Sequence, residues 1–429
     1  MKIAYVFFFL FLCTASLPAY IDPGTGSMLF SLLTGLTVTI FFFFRNLIIR
    51  LKSGALFRKK GAVSRRRHSL VLYSEGKQYW NVFKPVLEEL LRREIPAVYY
   101  TSGEDDPGLA FPAPPELLEK AHIGKGNAAY RTLNFLEADI CLMTTPSLDV
   151  FQLKRSPGVS CYAHLVHAPS DMTLYRLFAF DYYDALFLSG EYQKSGIRKL
   201  EALRGTKQKK LFVTGCTYLD VLAERAEKLP PRKAGKTVLV APSWGSNALL
   251  KRFGMRLLRP LAQSSWRVII RPHPQSLLVE TDTITTLKEQ LAPFRNVSWN
   301  YDSDNLEALA QADILLSDFS GIVFDFAFLF ERPVLYPRFD FDRRPYDAGD
   351  IEEEPWTFRA LREFGVPLEE RSFAEIETVL EGAGGTERRE AVRKLRAEAY
   401  QYPGEAGKRT ADALEALQAD LRAGPQTSV

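Results

Sequence analysis

The segment TVLVAPSWGSNALLKRFGMRLLRPLAQSSWRVIIRPHP, residues 237–274, decides the fold class of this chain. It begins with an apolar, β-branched run at 237–241, continues with helical periodicity over 247–261 and returns to a β-branched run at 267–270. A strand, a helix and a second strand in this order are typical of a βαβ unit, whose two strands lie parallel in one sheet. Ligands bind beyond the carboxyl ends of such strands, so polar residues that directly follow them are candidates for a site.

The same alternation of short apolar runs with helical periodicity extends in both directions from this segment. Predicted strands lie at 69–74, 97–100, 138–143, 159–166, 185–189, 211–214, 297–299, 314–316 and 334–336. The charged stretch 224–236, which contains two prolines, interrupts the series and is typical of an interdomain linker. We therefore predict an α/β fold with two Rossmann-like domains facing a cleft, at 68–229 and 236–385, followed by a helical tail at 386–429.

Two hydrophobic segments precede the first predicted strand. Residues 1–21 are either a signal peptide or a first transmembrane helix, and residues 28–49 are a predicted transmembrane helix, long enough for the ~30 Å bilayer core. Between Arg45 and Arg67 the chain carries nine basic residues and no acidic one. The positive-inside rule then predicts a cell-membrane location with the globular body on the cytoplasmic side, and the basic juxtamembrane segment 50–67 is expected to contact anionic lipid headgroups as well.

Composition narrows the functional class. With 429 residues, 46% hydrophobic and 25% charged, the chain is expected to be mostly globular rather than disordered, collagen-like or a polytopic transporter. The formal charge is +4, but without the nine basic residues of the juxtamembrane region 46 basic residues face 51 acidic ones. The body is therefore mildly acidic, and nucleic acid is not an expected partner. The four cysteines lie far apart, which argues against a disulfide framework or a zinc site.

The first polar cluster, Arg271-Pro272-His273-Pro274, directly follows the predicted strand 267–270. Two prolines stiffen this loop, and an arginine and a histidine at its tip suit a diphosphate or a departing phosphate. The alternative is a rigid turn with a surface histidine. We favour the functional interpretation, with Arg271 as a phosphate-binding candidate and His273 as a catalytic one.

The second cluster, Ser317-Asp318-Phe319-Ser320-Gly321, follows the predicted strand 314–316 and opens an apolar helix. Hydroxyl and N–H groups at a helix N-terminus form an anion site, which makes Ser317, Asp318, Ser320 and Gly321 phosphate-binding candidates. Serine and aspartate are also ordinary helix caps. A cap does not explain Asp325 inside the apolar helix, where a carboxylate is costly unless it is paired. We expect Asp325 to hold a cation or loop N–H groups beside the site.

The third cluster, His164-Leu165-Val166-His167-Ala168-Pro169, ends a predicted strand of the first domain. Two histidines three residues apart point to opposite faces of an extended strand, so only one can face the cleft. His167, at the strand end, is the better candidate for a general base. His164 is expected to pack in the sheet layer.

Metal binding is not expected. Two Asp-x-Asp tripeptides, 302–304 and 340–342, have a pattern that can bind a divalent ion, but such tripeptides are common by chance. The first of them is better explained as the start of the helix that follows it.

The chain resembles the CDP-glycerol glycerophosphotransferase family, the teichoic-acid primases and polymerases. The pieces that carry this resemblance, in order and spacing, are 271–274 (RPHP), 313–327 (DILLSDFSGIVFDFA) and 332–336 (RPVLY). Looser similarity extends back through 211–220 to the His167 region. The resemblance implies a GT-B-like fold of two domains, with the donor nucleotide held by the second and the acceptor by the first.

Two segments depart from the family pattern. The family has a Trp-His-Gly-Thr-Pro-like segment whose histidine is the proposed base, and here Val166-His167-Ala168-Pro169 keeps only the histidine and proline. A Pro-Thr-Trp-Arg-like segment appears as Pro242-Ser243-Trp244-Gly245, without the arginine. By resemblance, Ser243 joins the candidates for binding the donor phosphates.

The resemblance implies a transferase that moves glycerol phosphate, or a related polyol phosphate, from a CDP-activated donor to a lipid-linked or cell-surface polymer acceptor. The donor, which we expect to be CDP-glycerol, is a substrate, and no cofactor is expected. Because fold does not fix function, two alternatives stay open: a nucleotide-sugar glycosyltransferase or epimerase, and a non-catalytic nucleotide-sugar-binding protein. The sequence leaves the acceptor and the oligomeric state open.

Overall fold

The computed structural model describes residues 67–230, 235–302, 304–338 and 340–423, together with Leu36 and Ile40. The chain divides into two compact units, 1–66 and 67–429, and the second contains both of the sheets described below. The predicted membrane segments 1–21 and 28–49 and nearly all of the basic segment 50–67 lie outside the described residues. Within the described ranges, no helix combines the length and the apolar character needed to cross a bilayer.

The first half of the body is a parallel sheet, with seven strands among the described residues, in the order β3-β2-β1-β4-β5-β6-β7. The strands are β1 (His68–Ser74), β2 (Ala97–Thr101), β3 (Leu118–His122), β4 (Ala138–Met143), β5 (Val159–Leu165), β6 (Ala185–Leu188) and β7 (Lys210–Val213). The helices are α1 (Trp80–Arg92), α2 (Pro107–Ala110), α3 (Asn127–Leu133), α4 (Tyr192–Arg204) and α5 (Thr217–Glu227). The strand order reverses between β1 and β4, which is where such a sheet opens a crevice for a ligand.

The second half is another parallel sheet, with six described strands in the order β10-β9-β8-β11-β12-β13. The strands are β8 (Thr237–Val240), β9 (Arg267–Ile270), β10 (Val297–Trp299), β11 (Ile314–Leu316), β12 (Val334–Pro337) and β13 (Val366–Leu368). The helices are α6 (Leu249–Arg252), α7 (Met255–Gln263), α8 (Ser276–Val279), α9 (Thr281–Leu291), α10 (Leu306–Gln311), α11 (Ile322–Phe330), α12 (Trp356–Phe364) and α13 (Ile376–Glu381). The predicted α/β class with two parallel sheets is confirmed.

Both faces of the second sheet are covered, which explains why its strands have continuous apolar sequences. In β8, Leu239 packs into one core cluster, whereas Val238 and Val240 pack into the cluster on the other face. The predicted helix 247–261 is in fact two helices, α6 and α7. They are separated at Gly254, whose φ of 46° lies in the left-handed region that glycine adopts without strain.

The C-terminal helices α14 (Thr386–Ala399) and α15 (Ala406–Ala423) return the chain from the second half to the first. Helix α15 packs against α1 so closely that a Cβ at Gly407 would lie 2.6 Å from the carbonyl oxygen of Pro85. Arg93 at the end of α1 also pairs with Asp412 at 2.7 Å. The C-terminal tail therefore holds the two halves together.

Two loops also join the halves directly. The N–H of Leu177 donates to the carbonyl of Pro345, and the N–H of Asp347 donates to the carbonyl of Tyr175 at 2.9 Å. Beneath this pairing, Arg204 of α4 forms ion pairs with three carboxylates of the two halves. These are Asp181 at 2.8 Å, Asp347 at 2.7 Å and Asp350 at 2.6 Å. The paired loops and the ion network therefore join the two halves directly.

Candidate active site

The loops that follow β8 and β11 are tied to each other. The hydroxyl of Ser317, at the end of β11, donates to the carbonyl of Ala241 at 2.6 Å. The carboxylate of Asp318 accepts the N–H groups of Ser243 and Leu249, each at 2.8 Å. Burial raises the pKa of Asp318 to about 6, and the N–H groups that it accepts oppose this rise. In this structure the predicted phosphate ligands Ser317, Asp318 and Ser243 thus shape the loop beneath the crevice.

The next two residues bring the N-terminus of α11 to the first half of the molecule. The N–H of Ser320 donates to Asp318 at 3.1 Å, and Gly321 is the N-cap of α11. A Cβ at Gly321 would lie 3.2 Å from the Cβ of Ala168, so the helix end touches the segment next to His167. The N–H groups of a first helical turn and the helix dipole favour an anion at this position.

His167 lies just beyond β5, at the carboxyl edge of the first sheet. Two tyrosine rings hold it edge-on, with the Tyr79 centroid at 5.5 Å and the Tyr175 centroid at 6.3 Å. Its Nδ1 is buried and has no hydrogen-bond partner among the described residues. Burial lowers the pKa of His167 to about 4, so the imidazole is neutral at pH 7 and is able to accept a proton.

His164 is buried inside β5, as predicted. Its Nε2 lies 3.1 Å from the carbonyl oxygen of Thr144, and its ring contacts Phe180 and Tyr183. The side chain is 0% exposed, so it fills the sheet layer and does not reach the crevice.

His273 lies on the loop after β9. Its Nδ1 accepts the N–H of Gln275 at 3.1 Å, so in the neutral ring the proton is on Nε2. Its pKa is lowered to about 4, mainly by burial and in smaller part by the charges of His167 and Arg271. The two predicted catalytic histidines, one from each half, are therefore within electrostatic reach of each other, and His273 offers a neutral N–H donor.

The guanidinium of Arg271 is directed toward β10 in this structure. It donates to the side-chain oxygen of Asn300 and, at 2.8 Å, to the carbonyl of Asp302. Burial lowers the pKa of Arg271. Its role as a phosphate ligand stays a prediction, and a phosphate would have to compete with these two acceptors.

Sequence reasoning missed Trp244 and Arg176 as members of the site. The indole of Trp244 stacks with His273, with ring centroids 6.4 Å apart, and the Arg176 guanidinium lies 4.8 Å over the same indole. A signal for Trp244 existed, since it follows β8 directly, as ligand-binding residues often do. Arg176 had no local signal, because its contact depends on the pairing of the two halves.

A cavity of about 720 Å³ opens next to the Ser317–Gly321 loop, beyond β11 and β12. Its walls include the aromatic rings of Phe319, Phe341 and Phe358 and the guanidinium of Arg343. Charged side chains make up about half of the lining residues, and the acidic ones outnumber the basic ones: Asp318, Asp340, Glu352, Glu354 and Glu369 against Arg338, Arg343 and Arg362. An excess of carboxylates disfavours a phosphate inside this cavity.

The prediction that the tripeptide 302–304 forms the N-cap and first turn of a helix is wrong by a few residues, because α10 begins at Leu306 and its N-cap is Asn305. The carboxylate of Asp304 accepts the N–H of Leu306 at 2.8 Å and also pairs with Arg225. In the second tripeptide, Asp342 pairs with Arg344 at 2.8 Å. Within the ranges that the structure describes, no three His, Cys, Asp or Glu side chains are grouped to hold a metal ion.

Asp325 is buried in α11, where it is 4% exposed. Its Oδ2 accepts one long hydrogen bond from Asn305 at 3.4 Å, and its Oδ1 has no partner among the described residues. Burial raises the pKa of Asp325 to about 7. The sequence-based expectation that it holds a cation or loop N–H groups is not met in this structure, because the nearest polar group is a side-chain amide.

The Asp325→Asn substitution is expected to stabilise the protein at pH 8. Between the ordinary pKa of 3.8 and the folded value of about 7, the folded chain retains a proton that the unfolded chain has lost. Stability therefore falls as the pH rises through this range, and the charged form costs at most about 4 kcal/mol. Thermal unfolding at pH 5 and pH 8 measures the effect, and the gain in Tm should be larger at pH 8.

Asp220 provides a matched control for this test. Its carboxylate accepts the hydroxyl of Tyr400 and the N–H groups of Gly404 and Ala406, so Asp220→Asn loses an acceptor. That variant should destabilise by roughly 1–3 kcal/mol. If Asp325→Asn lowered the Tm at pH 8 as Asp220→Asn does, Asp325 would have a stabilising partner after all.

One family model matches the middle of the chain. Residues 180–354 match the model described as CDP-glycerol:poly(glycerophosphate) glycerophosphotransferase. These residues include the RPHP loop, the N-terminus of α11 and the ion network of Arg204. A search of curated proteins finds no match.

Several solved structures share the fold. The wall teichoic acid polymerase TagF, in a variant soaked with CDPG, is 16% identical, with a TM-score of 0.54 over 88% of this chain and 96% of that one. The UDP-GlcNAc 2-epimerase of Neisseria meningitidis bound to UDP-GlcNAc is 16% identical, with a TM-score of 0.55 over 82% of this chain and 100% of that one. A putative UDP-N-acetylglucosamine 2-epimerase of Listeria monocytogenes is 14% identical, with a TM-score of 0.55 over 82% and 96%.

At these identities the structural likeness establishes the fold, a GT-B-like pair of parallel sheets, and leaves the activity to the site and to the family match. The family match covers the loops of the second half that meet at the crevice, and the His167 segment lies before its first residue. The match over residues 180–354 and the GT-B-like fold together confirm the resemblance to the CDP-glycerol glycerophosphotransferases and support a glycerophosphotransferase-like transferase.

Proposed function

We propose that this protein transfers glycerol phosphate, or a related polyol phosphate, from a CDP-activated donor to a hydroxyl of a lipid-linked or cell-surface polymer acceptor. The observation that carries the proposal is the contact of Gly321 with Ala168, which puts an anion-binding helix end beside His167. The family match over 180–354 supports the choice of a CDP-alcohol as donor. The donor is consumed as a substrate, and the step needs no cofactor.

In the proposed reaction an acceptor hydroxyl attacks the β-phosphorus of the donor. His167 takes the hydroxyl proton as the new P–O bond forms. The bond between the β-phosphorus and the bridging oxygen breaks, and CMP leaves with the electron pair. The Nε2–H of His273 and the positive end of the α11 helix dipole stabilise the negative charge on the diphosphate. Two neutral histidines of different function suit this step, because one accepts a proton and the other donates a hydrogen bond.

The proposal includes a location at the cell membrane, with the catalytic body on the cytoplasmic side. Its support comes from the sequence: the hydrophobic segment 28–49 is followed by nine basic residues without an acidic one. An anchor of this kind keeps the cleft close to an acceptor that is itself attached to lipid. The same basic residues are expected to contact anionic headgroups.

The decisive experiment uses the full chain reconstituted in vesicles that contain phosphatidylglycerol and a glycolipid with free hydroxyls. Vesicle flotation checks the anchor. Thermal shifts and nucleotide release are measured with CDP-glycerol, CDP-ribitol and a UDP-sugar. We expect a CDP-alcohol to raise the Tm, since a ligand of the folded state stabilises it by mass action, and we expect glycolipid-dependent release of CMP.

The other outcomes contradict the proposal. Turnover of the UDP-sugar in place of the CDP-alcohols would identify a nucleotide-sugar glycosyltransferase or epimerase. Donor binding without turnover of any donor would indicate a non-catalytic nucleotide-binding protein. His273→Ala tests the role of the second histidine. Loss of the Nε2–H donor should slow CMP release by a factor of about 10²–10³.

A further inference from the structure

The crevice at the edge of the first sheet contains Glu75, whose carboxyl has no role in the proposed mechanism. Glu75 directly follows β1, Thr145 follows β4 and His167 follows β5, so the three lie along one edge of the sheet. The strand order reverses between β1 and β4, so Glu75 and Thr145 stand at the point where ligands enter such sheets.

The polar atoms around Glu75 are incompletely paired. Glu75 is partly buried, and burial raises the pKa of its carboxyl. The Thr145 hydroxyl lies beside this carboxyl without making a hydrogen bond of good geometry, although Thr145 is only 8% exposed. The hydroxyl of Thr144 is likewise buried and unpartnered among the described residues. Buried polar atoms without partners are costly, so an incoming ligand gains by pairing with them.

Neighbouring hydroxyl groups are engaged elsewhere. The Tyr73 hydroxyl pairs with Ser102 at 2.8 Å, and the Tyr183 hydroxyl donates to the backbone carbonyl of Thr145. The nearest lysine in sequence, Lys77, pairs with Asp105 at 2.6 Å. Thr145 places one hydroxyl beside the Glu75 carboxyl, and a ligand hydroxyl would add a further donor. A carboxylate here disfavours a phosphate at the same place.

The residues around Glu75 adjoin His167, the candidate general base. Burial raises the pKa of the Tyr79 phenol, and the charge of Glu75 raises it further, so the two side chains are within electrostatic reach of each other. The Tyr79 ring is in turn edge-on to His167, with centroids 5.5 Å apart. A ligand hydroxyl that donates to Glu75 thus belongs to a molecule that also reaches His167.

We propose that Glu75, Thr145 and Tyr79 form a subsite for the acceptor that binds a neutral, hydroxyl-bearing end group, a sugar or a polyol. One hydroxyl of this group donates to the Glu75 carboxyl, and a neighbouring hydroxyl faces His167. The inference rests on the proposed function and deepens it, because it assigns a neutral unit rather than a phosphate to the position beside the attacking oxygen.

The test compares two soluble probes of equal chain length, hexyl β-D-glucopyranoside and hexyl phosphate. The full chain is kept in a detergent without a sugar headgroup, and both dissociation constants are measured by calorimetry. We expect the wild type to bind the glucoside in preference to the phosphate. Glu75→Gln should weaken glucoside binding about 10-fold, since a hydrogen bond to a charged acceptor is replaced by one to a neutral amide.

Glu104→Gln is the matched control, because it removes one acidic charge from an exposed position after β2 and should leave both constants unchanged. The CDP-glycerol affinity of Glu75→Gln should equal that of the wild type, and its Tm should not be lower, since burial of the carboxyl raises its pKa. Equal or tighter binding of hexyl phosphate to the wild type, or identical behaviour of the two variants, overturns the subsite. Glucoside binding that depends on Glu75, without any binding of CDP-alcohols, would overturn the proposed function alone.

Discussion

Replacement of His167 by alanine is expected to lower the rate of CMP release by about 10²–10⁴ while leaving the affinity for CDP-glycerol nearly unchanged. The imidazole is the proposed proton acceptor, and we expect the donor to bind to the other half of the molecule. Loss of the ring should not unfold the protein, since its Nδ1 has no hydrogen-bond partner in the described structure. Initial rates at saturating CDP-glycerol, with a parallel thermal shift, measure both effects.

The matched control is His122→Ala, at an exposed position at the end of β3, which should retain full activity. The pH profile gives an independent check. With a pKa of about 4, His167 stays neutral well below the usual range of histidine, so the wild-type rate should fall only as the pH approaches about 4. Activity within about threefold of wild type in His167→Ala, or an acid limb near the ordinary 6.5, would exclude His167 as the base.

Replacement of Arg204 by alanine is expected to destabilise the folded protein by roughly 3–5 kcal/mol, or about 5–10 °C in Tm. The guanidinium is 10% exposed and pairs with Asp347, whose side chain is 1% exposed. Without Arg204, Asp347 keeps a buried charge with only the N–H groups of Phe178 and Ala179 to accept. Because these contacts join the halves, CMP release should fall as well.

Lys199→Ala is the control for Arg204. Lys199 lies on the same helix and also pairs across the halves, with Glu353, but both side chains are exposed, so the loss should be below about 1 kcal/mol. Burial raises the pKa of Asp347 to about 6. Protonation of Asp347 at pH 5 should therefore reduce the loss of stability in Arg204→Ala. The double variant Arg204→Ala with Asp347→Asn should recover part of the lost stability at pH 8. Equal losses in Arg204→Ala and Lys199→Ala would contradict the role of the network.

Strands were predictable wherever a β-branched run followed a turn signal, as at β8, β9 and β11. The exception in the first sheet is β3, Leu118–His122, which was missed because its sequence, LEKAH, alternates poorly. An edge strand with a partly exposed face needs few apolar residues, so periodicity does not reveal it. The break between α6 and α7 was missed for a different reason: a glycine inside a helical pattern does not by itself indicate its φ.

The positions of the candidate residues at strand ends were predictable, and their roles stay predictions. His167, His273 and Gly321 were found because each follows a strand end, and the fold places all three around one crevice. Asp318 was also found, but the three N–H groups that its carboxylate accepts come from loops that sequence alone does not bring together. Glu75 had no sequence signal, since a glutamate after a strand is usually a solvated residue.

The sequence by itself determined the two parallel sheets, the polar residues that follow their strands and the resemblance to a glycerophosphotransferase family, because these depend on local periodicity and short motifs. Only the tertiary structure decided which of those residues are paired with protein groups and which are left for a ligand. The contact of Gly321 with Ala168, the buried network of Arg204 and the crevice that holds Glu75 all join residues that lie far apart in the chain. Such contacts depend on how the halves pack, and local patterns carry no information about that.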